Sequence, residues 1–213
     1  MNNKTSITYL ILSIVAFFFG CRGPVNEENK NNAYTSSVSP GQKYVIDTKE
    51  SVVTWKGSML MGSNFHTGYV YISKGELMIE NGQLMGGTVE IDMNTIEDET
   101  HGSNNELINH LKSPDFFDVK KFPFSTITIT RGASINNENK KITGNLTIKG
   151  ITNPVTFPAK VEVRGGFVKA NGKLVIDRTN WGIRYRSGRS YDMLADETIS
   201  DSVEFNIKIV AKK

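Results

Sequence analysis

The stretch Ile142-Thr-Gly-Asn-Leu-Thr-Ile-Lys-Gly-Ile-Thr-Asn-Pro-Val-Thr-Phe157 decides how the rest of the chain must fold. Leu146 and Ile148 alternate with Thr147 and Lys149. Gly150 to Pro154 supplies turn chemistry, and the alternation resumes at Val155, Phe157, Ala159, Val161 and Val163. Apolar residues at every second position mark strands with one buried face, so this region predicts a long hairpin with one oily side. That side needs a large apolar partner.

Working outward, the same period recurs on both flanks. Towards the C-terminus, Gly165-Gly166 ends the second arm, and Phe167–Ala170 and Lys173–Arg178 read as two short strands turned by Asn171-Gly172. Trp181 to Ile199 has no sustained period and reads as a long loop with one helical turn near Asp192 to Ala195. The chain closes on a strand, Asp201–Lys213, in which Val203, Phe205, Ile207, Ile209 and Ala211 share a face. Towards the N-terminus, Ile127 and Ile129 alternate with threonines, and Val89, Ile91 and Met93 alternate with polar residues over Thr88–Asn94. Gly75–Glu80 forms the strand before it, through an Asn81-Gly82 turn. Val52–Leu60 and Phe65–Ser73, joined by Gly62 to Asn64, form an earlier hairpin.

The period changes once. Over His101–Lys112, Leu107, Ile108 and Leu111 lie on one helical stripe, with Ser103 and Glu106 spaced as a capping box and Ser113-Pro114 as the stop. The aromatic stretch that follows, with Phe116, Phe117, Phe122 and Phe124, either plugs one end of the domain or forms a movable portal.

About eight long antiparallel strands with one short inserted helix define an all-β protein, and closure into an up-and-down barrel removes exposed edges. A barrel of that size is either filled by its own side chains or holds one elongated ligand. The side chains placed to line it are Trp55, Val89, Ile91, Leu146, Ile148, Phe157, Val161, Ile176, Phe205 and Ile207. Periodicity leaves two readings open. A solid interior suits a protein-interaction module, and a hollow one suits a carrier of a long apolar molecule.

A net charge of +3 over 213 residues carries no polyanion-binding signature, so nucleic acid is not an expected partner. Lys4 precedes an apolar run, Ile7 to Phe19, shorter than the ~20 residues a spanning helix needs, so residues 1–20 read as a signal peptide. Cys21, the single cysteine, follows directly and stands where a bacterial lipoprotein carries its acyl chains. The alternative is an ordinary cleavage site with a free thiol. Residues 21–43, rich in Asn, Ser and Glu without period, read as a flexible tether, and residues 44–213 as the barrel domain. The expected location is the bacterial cell envelope, with the protein lipid-anchored to a membrane and facing the periplasm or the surface.

Catalytic and metal motifs are weak. There is no Gly-x-Ser-x-Gly and no cysteine within the barrel domain, so no catalytic residue is assigned. Of His66, His101 and His110, only His110 shares a helical face with a carboxylate, Glu106 at i,i+4, and a surface pair explains that spacing as well as a metal does. No metal or required cofactor is expected. Asp92, Asp177 and Arg178 are candidates for a polar cluster at a barrel end. Arg184, Arg186 and Arg189, with Tyr185 and Tyr191, form a basic loop that is either solvated or faces an anionic headgroup.

Several motifs in order resemble one known family, the YceI-like proteins, described as polyisoprenoid- or lipid-binding barrels. They are Tyr44-Val-Ile-Asp47, His66-Thr-Gly68, Leu111-Lys-Ser-Pro-Asp-Phe-Phe-Asp-Val-Lys-Lys-Phe-Pro123, Gly144-Asn-Leu-Thr-Ile-Lys-Gly-Ile-Thr-Asn-Pro-Val155, Asp177-Arg-Thr-Asn-Trp-Gly182 and the closing Asp201-Ser-Val. The resemblance implies a lipocalin-like barrel whose interior holds a long apolar chain, such as an isoprenoid, an isoprenoid quinone or a related lipid, without transforming it. It favours the hollow reading.

Overall fold

The computed structural model describes residues 41–61, 64–136, 138–189 and 197–213. The expected signal peptide, nearly all of the tether with Cys21, and the helical turn expected near Asp192 to Ala195 lie outside them. Among the described residues there are nine strands: β1 (Gln42–Ile46), β2 (Val52–Ser58), β3 (Phe65–Glu80), β4 (Gln83–Asp98), β5 (Phe124–Ser134), β6 (Asn139–Ile148), β7 (Ile151–Arg164), β8 (Phe167–Asp177) and β9 (Ser202–Lys212). One helix, α1 (Glu106–Lys112), and a single 3₁₀ turn (Arg178–Trp181) interrupt them.

All pairings are antiparallel, and they close on themselves. β1 and β2 each pair with both β3 and β9, at opposite ends of those strands, so the nine segments occupy eight rows of one barrel. Ser51, buried at the break between β1 and β2, mends the ladder there. Its hydroxyl accepts from Val210 N–H (2.9 Å) and donates to Val210 C=O (3.2 Å). Every row is paired on both sides over at least part of its length, and the β7–β8 seam, paired only over Ala159–Arg164, is the least complete.

Several boundaries differ from the sequence reading, each for a local reason. Gly75–Glu80 is not a separate strand but the second half of β3. Val70 and Ile72 face inward, register shifts follow, and Leu77 and Ile79 face inward in the opposite phase. A bulge inserts an odd residue and resets the alternation, which makes one strand look like two. β4 likewise runs past Asn94 to Asp98, through a shift in which Tyr71 N–H donates to Thr95 Oγ1 (2.9 Å).

The organising hairpin turns at Lys149-Gly150, both with positive φ (52° and 75°), between the paired residues Ile148 and Ile151. This two-residue turn matches strand twist, so Ile151 to Pro154 already belong to β7. Pro154 and Pro158 are tolerated because β8 pairs only with Ala159–Arg164, leaving the first half of β7 bonded to β6 alone.

Asn171-Gly172 is no turn. It sits mid-strand in β8, and a Cβ on Gly172 would stand 3.0 Å from the Phe157 ring, so the glycine makes room for an inward aromatic. The helix begins at Glu106 rather than His101. Its N-cap is Asn105, whose side chain accepts from Ile108 N–H (3.0 Å), and not Ser103. Ile108 and Leu111 of the expected stripe are buried, and Leu107 packs against the core beside them.

Candidate functional site: an apolar barrel lumen

Inward-facing side chains from the strands enclose a cavity of about 330 Å³ with almost no polar lining. An engineered cavity of ~150 Å³ already takes benzene, and ligand pockets begin near ~300 Å³, so this space accommodates part of a long chain. The interior is therefore not packed throughout, as the filled-core alternative requires.

Trp55, Val89, Ile91, Leu146, Ile148, Phe157, Val161, Ile176, Phe205 and Ile207 all border the cavity. They come from β2, β4, β6, β7, β8 and β9, and alternation alone turns them inward. Periodicity alone did not place the helix in the end wall. Leu107 and Leu111 of α1 border the same cavity, with Phe116 and Phe117 from the loop behind it. The helical stripe was the signal: a stripe that packs on a barrel end necessarily faces the lumen. Of the four phenylalanines expected to plug or gate, these two face the cavity, Phe122 is half-buried, and Phe124 is 45 % exposed.

The wall is polar at few points. Arg178, 3 % exposed, borders the cavity, but its donors are spent on the protein. Nε donates to Ser200 C=O (3.0 Å), Nη1 to Ile183 C=O (3.1 Å) and Nη2 to Ile199 C=O (3.1 Å), while Asp201 lies 3.3 Å from Nη2. Burial pulls the guanidinium pKa down, and Asp201 and Asp177 pull the other way. Arg178 ties Ile183 and the stretch Ile199–Asp201 to the end of β8. Asp177 joins this knot through Thr179 and an ion pair with Arg189 (2.8 Å), whereas Asp92 bonds Asn94 instead. Burial resists the charge of Asp177, but the hydroxyl and N–H of Thr179, with Arg189, outweigh it and hold the carboxyl below its ordinary value. Of the basic loop, Arg186 lies over Tyr185 and Arg184 is exposed; Tyr191 is outside the described residues.

The histidines divide. His110 pairs with Asp115 (3.1 Å), not Glu106, and packs edge-on against Phe116 and Tyr185. His66 and His101 approach opposite oxygens of Asp98, at 3.9 and 3.0 Å, an association across two elements that spacing did not reveal. Among the described residues no three His, Cys, Asp or Glu side chains converge as metal ligands.

A model of the YceI-like domain matches residues 44–211. The chain belongs to the YceI-like family. A UPF0312 protein of Shewanella denitrificans is 33 % identical over 117 residues, covering 54 % of this chain and 60 % of the relative. The Salmonella arizonae Protein YceI is 39 % identical over 79 residues, 36 % of this chain and 39 % of that one. The alignment thus spans less than two thirds of either relative's length. Among solved structures, Burkholderia cenocepacia BcnA superposes with a TM-score of 0.63 at 22 % identity, over 78 % of this chain and 99 % of that one. A domain from Saccharophagus degradans, described as polyisoprenoid binding and implicated in plant cell wall breakdown, gives 0.58 at 13 % identity over 79 % and 97 %. At those identities the likeness is one of fold, and it matches the closed YceI-like barrel found here.

Proposed function

We propose that this protein binds and shields an elongated apolar molecule, an isoprenoid or related lipid, inside its barrel without transforming it. The observation that carries this reading is the apolar cavity bordered by Trp55, Leu146, Phe157 and Phe205. The description of the Saccharophagus relative as a polyisoprenoid-binding domain supports it. Each methylene that leaves water for such a lumen gains about 0.8 kcal/mol. A bilayer interior offers the same gain, so transfer between membrane and barrel is nearly neutral. That balance suits a carrier or buffer held at a membrane, and the lipid anchor we propose at Cys21, with the tether behind it, would hold it there in the bacterial envelope.

Native mass spectrometry of gently purified protein should show a co-purifying lipid. Leu146→Trp, which adds an indole to the lumen, should abolish that adduct while the barrel still folds. A wild-type protein free of lipid that also fails to take up added lipid would end this reading. For the anchor, Cys21→Ala should move the protein from the membrane to the soluble fraction. Unchanged partitioning of the variant would refute it.

A further inference from the structure

At the helix-bearing end of the barrel, the tip of the β2–β3 hairpin is apolar and stands in water. Leu60, Met61 and Phe65 are 56, 62 and 55 % exposed. Single exposed apolar side chains are ordinary, but these three share one tip, and the tip rims the cavity. Met59 and His66 fall in the inward phase set by Trp55 and Val70, and both border the lumen. The His66 side chain is also 62 % exposed, so the cavity meets solvent beside it.

Cations flank the same tip. Met59 bridges to Ile199, Leu60 N–H donates to Thr198 C=O (2.8 Å), and Ile199 N–H donates to Arg186 C=O (2.9 Å). The basic loop is thereby brought against the rim, with Arg184 and Arg186 both exposed. Lys56 Nζ lies 4.3 Å from the centre of the Phe65 ring. Nearby carboxylates are mostly engaged: Asp98 faces His66 and His101, Glu99 accepts from the hydroxyls of Thr67 and Tyr69, and Asp201 meets Arg178. Glu197 is exposed beside Thr198 and offsets one positive charge. Apolar side chains that sink below the headgroups, ringed by cations that meet phosphate, are the makeup of a membrane-surface contact.

The tether permits that contact. Gln42 pairs with Ile79 at the far end of β3, so the chain enters the barrel at the end opposite this tip. Residues 22–41 reach up to ~66 Å when fully extended, and the 16 residues of β3 span ~54 Å. An anchor at Cys21 therefore leaves chain enough for either end of the barrel to face the bilayer.

Resting on the apolar-ligand reading, we infer that the β2–β3 tip, with the Arg184–Arg186 loop, docks on a lipid bilayer bearing anionic headgroups, and that the guest passes between bilayer and lumen beside Met59 and His66. A guest released into water would forfeit its burial, and docking at the mouth spares it that step.

The test uses the full chain with Cys21→Ala and Leu60→Cys, its one thiol carrying a nitroxide, mixed with vesicles of three parts phosphatidylcholine to one part phosphatidylglycerol. The label at position 60 should become more accessible to oxygen than to a water-soluble nickel chelate. A label at Ile135→Cys, 62 % exposed at the opposite end, should stay in water. Met61→Ser with Phe65→Ser should weaken vesicle binding at least about tenfold. Lys56→Gln with Arg186→Gln should remove a preference of roughly fivefold over pure phosphatidylcholine vesicles. Geranylgeraniol supplied from an ethanol dispersion, with loading read by native mass spectrometry, tests the lumen separately. If the protein loads but both labels stay in water, or both immerse alike, the docking surface is wrong and the carrier stands. If the labels at position 60 couple to one another without vesicles, the face joins two copies and the bilayer assignment falls. If the tip docks but nothing loads, the guest's passage falls together with the carrier reading.

Discussion

At the β1 end of the barrel Tyr44, Ile46, Leu77 and Ile79 are buried and none borders the cavity, whereas around Trp55, Leu146 and Phe205 the same kind of inward-facing row encloses open space. The two ends are closed differently. At the β1 end, main chain and side chain interlock: a Cβ on Gly75 would lie 2.6 Å from Ile46 Cδ1, so the isoleucine rests on bare backbone. At the other end a helix, two phenylalanines and the knot around Arg178 lie across the opening. Packing dominates beside β1, and at the other end packing is joined by the Arg178 knot. An end closed in part by discrete bonds can open locally at less cost to the core than one closed by interlocked strands.

The strongest way to break the comparison is to cut the polar knot. Arg178→Met leaves Asp201 without its buried cation and removes the donors from three carbonyls. Breaking such a site by removing one partner costs about 3–5 kcal/mol, which urea unfolding would read as a large drop in midpoint. A loss below about 1 kcal/mol would mean that apolar packing closes both ends alike.

A matched pair of truncations sharpens the contrast. Leu77→Ala opens a void in the solid end and should cost about 3 kcal/mol. Leu146 already has open space on one side and so has fewer neighbours to lose, and Leu146→Ala should cost about half as much. Equal losses by thermal or urea unfolding would show that the lumen wall is as tightly supported as the β1 end.

This asymmetry was only partly legible in the amino-acid sequence. The closed barrel was, because Val155 to Val163 and Val203 to Ile209 keep period two, and the same period turned Trp55, Leu146, Phe157 and Phe205 inward, to positions that border the cavity. What alternation does not encode is phase resetting. The bulges in β3 and β4 hid the continuity of Phe65–Glu80, and Asn171-Gly172 looked like a turn because nothing local reveals that Phe157 lies over the glycine. The solid and hollow ends share one pattern for the same reason, since period two reports which way a side chain points and not how far away its neighbour stands. The Arg178 knot was legible only as a candidate polar cluster with Asp177 and Asp92 at a barrel end, because most of its acceptors are backbone carbonyls, which no residue letter advertises.

The smallest effect tests the polar end through pH. Asp98, at the end of β4, accepts from the N–H groups of Thr100 (2.9 Å) and His101 (2.8 Å) and meets His101 Nδ1 at 3.0 Å. Burial alone would raise its pKa, but these donors outweigh burial and hold it below the ordinary 3.8. A carboxyl with a lowered folded pKa contributes stability above its unfolded value and loses it as pH falls through the folded one. Asp98→Asn should therefore cost about 1 kcal/mol near neutrality, and that deficit should shrink below pH 3.8 as the wild-type carboxyl takes up its proton. The Leu77→Ala deficit, by contrast, should stay constant across the same range, because its cross-strand partners, Tyr44 and Gly87, do not titrate there. Urea unfolding of both variants and wild type across that window separates the two ends. If the Asp98→Asn deficit ran parallel to that of Leu77→Ala at every pH, its carboxylate would contribute shape and not charge, and the polar closure would rest on Arg178 alone.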